Sequence, residues 1–167
     1  MTKNLSMYFV LGFIFVSVIG TLAHFLYEFS KQNVLVGLIS PVNESTWEHM
    51  KLIFFPMLMY SLFLIPKLQN NYPCIKSSLF LGIIIGTFLI PILFYTYTGI
   101  LGYNKLALDI SVFIISVLIA FFTAYKLTLS CKSDPYIKVI TFCVFILAIL
   151  FFIYTYFPPQ LEIFKEP

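Results

Sequence analysis

Long apolar stretches separated by short polar segments dominate the chain. Four of the stretches run for about 20 residues, the length that crosses ~30 Å of hydrocarbon at about 1.5 Å per helical residue. Together with a shorter fifth stretch they predict an all-α fold, an integral membrane bundle of about five transmembrane helices. Residues 1–167 are predicted to form a single transmembrane domain, with helices at about residues 7–27, 46–66, 78–97, 106–125 and 137–157.

The second apolar stretch, residues 52–65, is the short one. The segment between Lys51 and Lys67 gives only about 22 Å of helix, less than the hydrocarbon core. The preceding Ser-Thr-Trp-Glu string matches a capping box, in which the Ser45 hydroxyl accepts from the Glu48 backbone N–H and the Glu48 carboxylate reaches back. A helix that begins directly after Ser45 is long enough to span. It would bring four side chains to the membrane surface: Trp47, Glu48, His49 and Lys51.

A short apolar run over residues 34–39 precedes this helix. It is too short to cross a bilayer and too apolar for a free loop. Backbone polar groups at membrane depth must be covered by protein, because no water is available to satisfy them. We therefore predict a partly embedded or re-entrant segment that ends at Pro41, between helices 1 and 2.

The composition agrees with a membrane protein. Hydrophobic residues make up 60% of the sequence and charged residues only 10%, and the mean hydropathy is +0.98. Soluble domains carry about one-quarter charged residues, so the lipid bilayer is the predicted surrounding of the helices. All ten basic residues are lysine. Without arginine forks that clamp phosphate, a nucleic-acid partner is not expected.

The lysine positions predict an orientation. Six lysines lie in segments on the side of the N-terminus and four on the other side, and cytoplasmic segments carry an excess of basic residues. The prediction is an N-in, C-out, multi-pass protein of a bacterial cytoplasmic membrane. The six lysines on the inner side are Lys3, Lys67, Lys76, Lys126, Lys132 and Lys138.

The three cysteines are predicted to be buried thiols. No pair of them shows metal or redox spacing such as Cys-x-x-Cys. The N-in orientation puts Cys74 and Cys131 in the reducing cytoplasm, and Cys143 falls inside an apolar run. Reducing compartments keep thiols reduced.

Polar residues gather near the outer end of the predicted bundle. Ser17, Thr21, His24 and Glu28 recur at spacings of four, three and four, and so share one face of helix 1. His24 and Glu28 should face the bundle interior, because exposing an imidazole or a carboxylate to lipid is costly. The segment 43–49 and Asp109 reach the same level, so both histidines and four of the seven acids share one layer.

Imidazoles and carboxylates together are ligands suited to zinc, manganese or iron. The predicted metal ligands are His24, Glu28, Glu44 and His49. A divalent, zinc-like ion held by them would act as a Lewis acid, with Glu48 or Glu28 as the general base that activates water. The further residues of this layer are Asn43, Ser45, Trp47, Lys51 and Tyr97.

The same layer has a structural interpretation. In it, Asn43 and Ser45 cap helix 2, while Glu28 or Glu48 pairs with Lys51. Proton-relay or acid/base chemistry without a metal is a third interpretation. The spacing of the residues leaves these alternatives open.

Neighbouring polar residues have simpler interpretations. Trp47 is expected to anchor at the membrane interface, and Tyr154 and Tyr156 are expected to belong to an aromatic belt. Asp109 is expected to favour the start of helix 4 and to pair with Lys105 one turn before it.

Gly82 and Gly86 form a Gly-x-x-x-Gly pair on helix 3. Small residues at this spacing let a second helix approach closely. We predict that this face mediates association, in a homo-oligomer or with a membrane protein partner. Tyr97 lies on the same face, eleven residues beyond Gly86.

One string in the loop and helix 2 is distinctive. It reads Pro-Val-Asn-Glu-Ser-Thr-Trp-Glu-His-Met-Lys from Pro41 to Lys51, and it follows a His24-x-x-Tyr27-Glu28 motif. In these residues the chain resembles a family of small bacterial multi-span membrane proteins with a Pro-Val-Asn-Glu-Ser-x-Trp-Glu-His signature. The resemblance implies a multi-span protein of this size and brings no assigned activity. More loosely, the grouping of histidines and acids near one surface is similar to ceramidase-like metal hydrolases, which are larger and carry more histidines.

The sequence is therefore compatible with three kinds of function, and these patterns do not decide whether the protein is an enzyme. The first is a membrane-embedded, metal-dependent site that acts on a lipid-linked or small substrate. The second is a small transporter or ion-coupled carrier that uses His24, Glu28 and Glu48. The third is a structural or partner-binding membrane subunit.

Overall fold

The computed structural model describes residues 2–166 of the chain, with side chains from Leu5 onward. Regular secondary structure in this range is entirely helical. The α-helices are α1 (Thr2–Phe29), α2 (Val34–Gly37), α3 (Thr46–Leu68), α4 (Ile75–Leu101), α5 (Leu106–Ser130) and α6 (Ile137–Tyr156). Two short 3-10 turns, Asp134–Tyr136 and Glu162–Phe164, precede and follow α6.

Five of these helices, all except α2, are long and apolar enough to cross a membrane. The shortest of the five spans has 23 residues, or about 34 Å of helix, which exceeds the hydrocarbon thickness. The predicted number and approximate positions of the spans are confirmed. The chain is therefore a multi-pass membrane protein whose apolar helices suit a lipid bilayer.

Short connections make successive spans antiparallel, so the bundle has two distinct ends. At one end α1, α4 and α6 finish while α3 and α5 begin; we call it the site end, because the predicted polar layer lies there. At the opposite end Cys74 and Cys131 precede α4 and follow α5, and their sulfur atoms are bonded. We call this the disulfide end.

The disulfide corrects the sequence prediction of three buried thiols. Cys74 and Cys131 are 57 residues apart in the chain, yet their Cα atoms are 5.3 Å apart. Cys143 is a free thiol but is exposed on α6. Spacing motifs could not reveal the pairing, because it depends on the antiparallel packing of α4 and α5.

The core of the bundle is built on α3 and α4, which are the most buried spans. Met50, Ile53, Phe54 and Met57 of α3 are completely buried. Phe54 also contacts Phe151 of α6, with ring centroids 5.1 Å apart. The helix α3 also carries residues of the predicted polar layer. These residues therefore belong to the most buried of the five spans.

The Gly82/Gly86 face of α4 packs against α5. A Cβ atom at Gly82 would lie 2.9 Å from the carbonyl oxygen of Ala120, and one at Gly86 would lie 2.7 Å from the Ala120 Cβ. A close helix approach is therefore correct, but the neighbour belongs to the same chain. The glycines thus account for helix packing inside the bundle, and association with a partner or a second copy stays a prediction.

Candidate functional site

Three ligand-type side chains from separate segments meet at the site end. His24 lies near the end of α1, His49 lies in the first turn of α3, and Glu44 lies in the loop before α3. One ligand atom from each lies within 4.8 Å of the other two. His24 Nε2 is 3.7 Å from Glu44 Oε1, and His49 Nε2 is 3.4 Å from Glu44 Oε2. The Glu44 carboxylate thus faces both imidazoles, and we call this group the His24–Glu44–His49 cluster.

Ser45 sets the orientation of His49. The Ser45 backbone oxygen lies 3.0 Å from His49 Nδ1. A carbonyl oxygen can only accept a hydrogen bond, so Nδ1 carries the proton and donates it. In the neutral ring, Nε2 is then the unprotonated nitrogen, and it faces Glu44. Metal-ligating histidines commonly have this arrangement, with the second ring nitrogen held by a backbone carbonyl.

His24 is positioned by ring packing. It stacks on His49 with ring centroids 5.3 Å apart and an interplanar angle of 25°. Its Nδ1 is buried and has no hydrogen-bond partner among the described residues. The nitrogen of His24 that faces the Glu44 carboxylate is Nε2, so Nε2, and not the unpaired Nδ1, is the atom that could bind a ligand inside the cluster.

The spacing of the cluster suits a small cation. In a tetrahedral zinc site, bonds of about 2.0–2.2 Å put neighbouring ligand atoms roughly 3.4 Å apart. The two nitrogen-to-carboxylate distances of 3.4 and 3.7 Å are close to this value. Both histidine side chains are 29% exposed and the Glu44 side chain is 63% exposed. The cluster therefore opens toward the surface and leaves room for a fourth ligand.

A second polar group at the same end is buried and paired. Lys51 is fully buried, and its Nζ donates to Glu48 Oε2 at 2.7 Å and to Thr155 Oγ1 at 2.5 Å. It also donates to the carbonyl oxygens of Gly37 at 2.9 Å and Ser40 at 3.4 Å. The Glu48–Lys51 pair, which the structural interpretation predicted, is present. Glu48 is not a member of the His24–Glu44–His49 cluster.

The segment predicted to be embedded forms the single turn of α2 and packs against the bundle. Gly37 and Ser40 are buried, and Lys51 binds their carbonyl groups. The Tyr156 hydroxyl donates to the Val34 carbonyl oxygen at 2.6 Å. Protein thus covers these backbone groups, which is the condition for such a segment to lie at membrane depth. Tyr156 contacts this turn rather than serving only as a belt residue.

The loop that carries Glu44 is tied down at both ends. The Val42 N–H donates to Glu48 Oε2 at 2.9 Å, and the Ser45 N–H donates to Asn43 Oδ1 at 3.0 Å. The Ser45 hydroxyl accepts from the Glu48 N–H at 3.4 Å, as predicted for the N-cap. The other half of the predicted capping box is wrong, because the Glu48 carboxylate is used by Lys51 and Val42 instead.

Glu28 and Trp47 differ from their predicted surroundings. Glu28 is exposed on α1 and lies outside the cluster. Three of the four predicted metal ligands therefore come together, and Glu28 does not. Trp47 is only 7% exposed and packs between Phe151 and Phe164, with ring centroids 4.8 and 4.9 Å away. The prediction of an interfacial anchor is wrong for Trp47, because the α6 side of the bundle covers it.

Tyr97 and Asp109 form a contact that the sequence did not indicate. The Tyr97 hydroxyl donates to the Asp109 carboxylate, linking the end of α4 to the start of α5. Asp109 was expected to pair with Lys105 instead, but the ion pairs of residues 2–166 do not include that one. The helix approach at Gly82 and Gly86 explains this, because it brings α4 and α5 side by side.

Thr155 belongs to the polar layer at the site end, and the sequence analysis did not predict it. It is 8% exposed, and it bonds both Lys51 and Glu48 from α6. A hydroxyl inside a strongly apolar span was the available signal, since such groups commonly bond across helices. Its partners could not be inferred, because they lie more than 100 residues away in the chain.

These features define an all-helical, multi-pass membrane protein with a histidine–carboxylate cluster at one end of the bundle. The chain belongs to a family of unknown function (DUF6512), which it matches over residues 1–167. The predicted membership of a family without an assigned activity is confirmed. Neither a curated protein nor a solved structure matches the chain. The function must therefore be argued from the chemistry of the site.

Proposed function

We propose that this protein resides in the bacterial cytoplasmic membrane, N-in and C-out, and binds a zinc-like divalent cation with His24, Glu44 and His49. The observation that carries the proposal is the approach of three ligand atoms, from three separate segments, to within 4.8 Å of one another. The excess of lysines at the disulfide end supports a cytoplasmic location for that end. The cluster then opens on the outer face of the membrane.

The chemistry of the cluster favours a cation over a purely structural network. Lys51, the lysine of the predicted polar layer, pairs with Glu48. It therefore does not neutralise the Glu44 carboxylate. The one ring proton of neutral His49 is donated to the Ser45 carbonyl, so Nε2 has only a lone pair to offer toward Glu44. Two such acceptor groups repel each other unless a cation or a proton lies between them. A divalent ion satisfies both groups and the His24 nitrogen at once.

Three protein ligands with an open fourth position are typical of catalytic rather than structural zinc sites. When bound, such an ion supplies Lewis acidity and activates a water molecule. The exposure of Glu44 would admit a small substrate or the headgroup of a lipid-linked one. Glu28, exposed one turn beyond His24, is the remaining general-base candidate, because the Glu48 carboxylate is held by Lys51, Thr155 and Val42.

Metal content of the purified full-length protein tests the proposal. The protein is stripped with a chelator in detergent, loaded with zinc, passed through a desalting column and measured by elemental analysis. We expect about one zinc per chain, and at least ~10-fold weaker retention in His24→Ala, Glu44→Gln and His49→Ala, because each removes a direct ligand.

Two matched controls sharpen this measurement. Glu28→Gln should retain zinc, since Glu28 lies outside the cluster, and Glu162→Gln should also retain it, since that exposed carboxylate pairs with Lys165. Less than about 0.2 zinc per wild-type chain would overturn the proposal, because a site with three protein ligands should keep its ion through desalting. Equal loss in the two control variants would point to adventitious surface binding and would overturn it as well.

A further inference from the structure

The disulfide end carries a strong and one-sided charge. Six of the ten lysines belong to it, against a single acid, Asp134. Lys67, Lys76, Lys126 and Lys132 are exposed there. Such an excess of basic residues favours a cytoplasmic location. Disulfides in the cytoplasm are usually transient, and either catalytic or redox-sensing, because the compartment keeps thiols reduced.

We infer that Cys74 and Cys131 form a redox-active couple that exchanges with low-molecular-weight thiols of the cytoplasm, and not a permanent cross-link. The inference rests on the proposed orientation of the chain and is independent of the metal. Access to the bond is asymmetric, since Cys131 is exposed and Cys74 is only 5% exposed. An incoming thiolate therefore reaches the Cys131 sulfur first.

The position of Cys74 makes its sulfur a good leaving group. It is the N-cap residue of α4, a helix of 27 residues. The positive end of the helix macrodipole stabilises a thiolate at this position. Lys76 lies in the first turn of the same helix and Lys132 follows Cys131, so the couple lies in basic segments of the chain, with the Lys76 ammonium over the Phe80 ring at 5.8 Å from its centroid. Thiol–disulfide exchange is faster when the departing thiolate is stabilised.

A hydroxyl network beside the couple holds the two segments together without the sulfur bond. Ser77 Oγ donates to the Cys74 carbonyl oxygen at 2.9 Å, and it lies 3.1 Å from Ser133 Oγ and 3.3 Å from Asp134 Oδ1. Ser78 Oγ lies 3.4 Å from the same Ser133 hydroxyl. Ser77 and Ser133 are buried, so water does not compete for these contacts. After reduction, the two thiols should therefore stay close enough to be oxidised again.

The exchange takes two steps. A small thiolate attacks the Cys131 sulfur, forming a mixed disulfide and releasing Cys74 as a thiolate. A second small thiolate attacks the small-molecule sulfur of the mixed disulfide and releases Cys131. Two small thiols become one small disulfide, the couple gains two electrons, and the two protons of the small thiols end on Cys74 and Cys131.

Thiol counting in a Cys143→Ser background tests the inference, because only the couple can then react. Membranes with the full-length protein are equilibrated in buffers with different ratios of reduced to oxidised glutathione, quenched with acid, and alkylated with a maleimide–polyethylene glycol reagent for gel analysis. We expect both thiols to appear together in one transition and to disappear on return to oxidised glutathione. In acid-quenched growing cells most of the couple should be reduced.

Single variants test the predicted asymmetry. In Cys74→Ser, the remaining Cys131 should react quickly with maleimide and form a mixed disulfide with glutathione. In Cys131→Ser, Cys74 should react at least ~10-fold more slowly, because the burial of its side chain limits access more than stabilisation of the thiolate raises its reactivity. Equal labelling rates would overturn the assignment of Cys131 as the attacked sulfur.

Two results would overturn the inference as a whole. One is a couple that stays oxidised in acid-quenched cells and reacts only after the protein is denatured, which means a permanent cross-link. The other is labelling of the reduced thiols in intact cells by a membrane-impermeant maleimide, which means that this end faces outward. Zinc retention measured on the same Cys143→Ser sample keeps this outcome separate from the fate of the metal proposal.

Discussion

Both ends of the bundle carry exposed lysines, but among residues 2–166 only the site end also buries a pair of opposite charges. At the disulfide end lysines are exposed and lie over aromatic rings, as Lys67 does over Tyr8 at 5.0 Å and Lys126 over Phe122 at 5.4 Å. At the site end Lys51 and Glu48 are buried and bond one another. An exposed lysine at an interface has a small desolvation free energy, because its aliphatic stem covers apolar surface while the ammonium group stays hydrated. A buried charge needs an opposite charge and hydrogen-bond partners, because these offset its loss of hydration.

The exposed lysines and the buried charges therefore have different roles. The exposed lysines bear on the orientation of the chain in the membrane, and the buried charges bear on the stability of the fold. We expect the removal of any one exposed lysine to leave the fold intact and to change only the charge balance between the two ends. Removing a buried charge strands its partner in the protein interior. Substitution of charged residues should therefore lower the stability of the protein more at the site end than at the disulfide end. At the disulfide end, the substitutions expected to matter are those that disturb the close packing of the helices.

The largest expected effect is that of Lys51→Met. The substitution leaves Glu48 buried without its cation and leaves the carbonyls of Gly37 and Ser40 without a donor. We expect a loss of about 3–5 kcal/mol in the free energy of unfolding, measured by denaturant titration in detergent micelles. Lys105→Met, an exposed lysine at the same end, should stay within about 0.5 kcal/mol of the wild type.

A double variant identifies the cause of that loss. Glu48→Gln combined with Lys51→Met removes both charges, so it should be more stable than Lys51→Met alone. Reduction of the Cys74–Cys131 bond should cost less than Lys51→Met, because the Ser77–Ser133–Asp134 contacts remain. If reduction destabilised the protein more than Lys51→Met, the expected difference in sensitivity between the two ends would be reversed.

A smaller effect is expected from glycine replacements along α4. In Gly82→Ala the new methyl group would lie 2.9 Å from the Ala120 carbonyl oxygen, a backbone atom that cannot easily move. We expect a loss of about 1–3 kcal/mol in the same unfolding measurement. Gly99→Ala has nothing within 4 Å, so it should stabilise the helix by about 0.5–1 kcal/mol. Equal effects at both positions would contradict close α4–α5 packing.

The smallest effect is expected from Ser45→Ala, which removes the N-cap hydroxyl of α3. The loss should be about 1 kcal/mol, whereas Ser111→Ala on the exposed face of α5 should change stability by less than about 0.5 kcal/mol. Zinc retention should not change in Ser45→Ala, because the backbone carbonyl of residue 45 still orients His49. Loss of zinc together with the cap would mean that the hydroxyl itself matters to the site.

Much of the fold was predictable because lipid imposes simple rules. A span must be apolar for about 20 residues, and its ends are marked by lysines, caps and loops, so the five helices could be found without tertiary information. The start of α3 at Thr46 followed from the Ser45 cap and from the shortage of apolar residues after Lys51. His24 and His49 could be assigned to one layer for the same reason, since depth in the membrane follows from position along a helix.

The grouping within that layer was decided by the tertiary structure. The chain places His24, Glu28, Glu44, Glu48 and His49 at the same depth, but depth does not specify lateral position or direction. Packing of α6 beside α3 brings Thr155 to Lys51, and this draws Glu48 into the interior and away from the histidines. Glu44, on a loop tied by Asn43 and Glu48, is left facing both imidazoles.

The sequence alone thus determined the membrane environment, the number of spans and the layer that holds the candidate ligands. Only the tertiary structure decided which acid faces the histidines, which acid pairs with Lys51, and that Cys74 meets Cys131. The physical reason is that hydropathy and helix periodicity act locally along the chain. Ion pairs, ligand clusters and disulfides depend on which helix faces which, and that is settled by packing between residues distant in sequence.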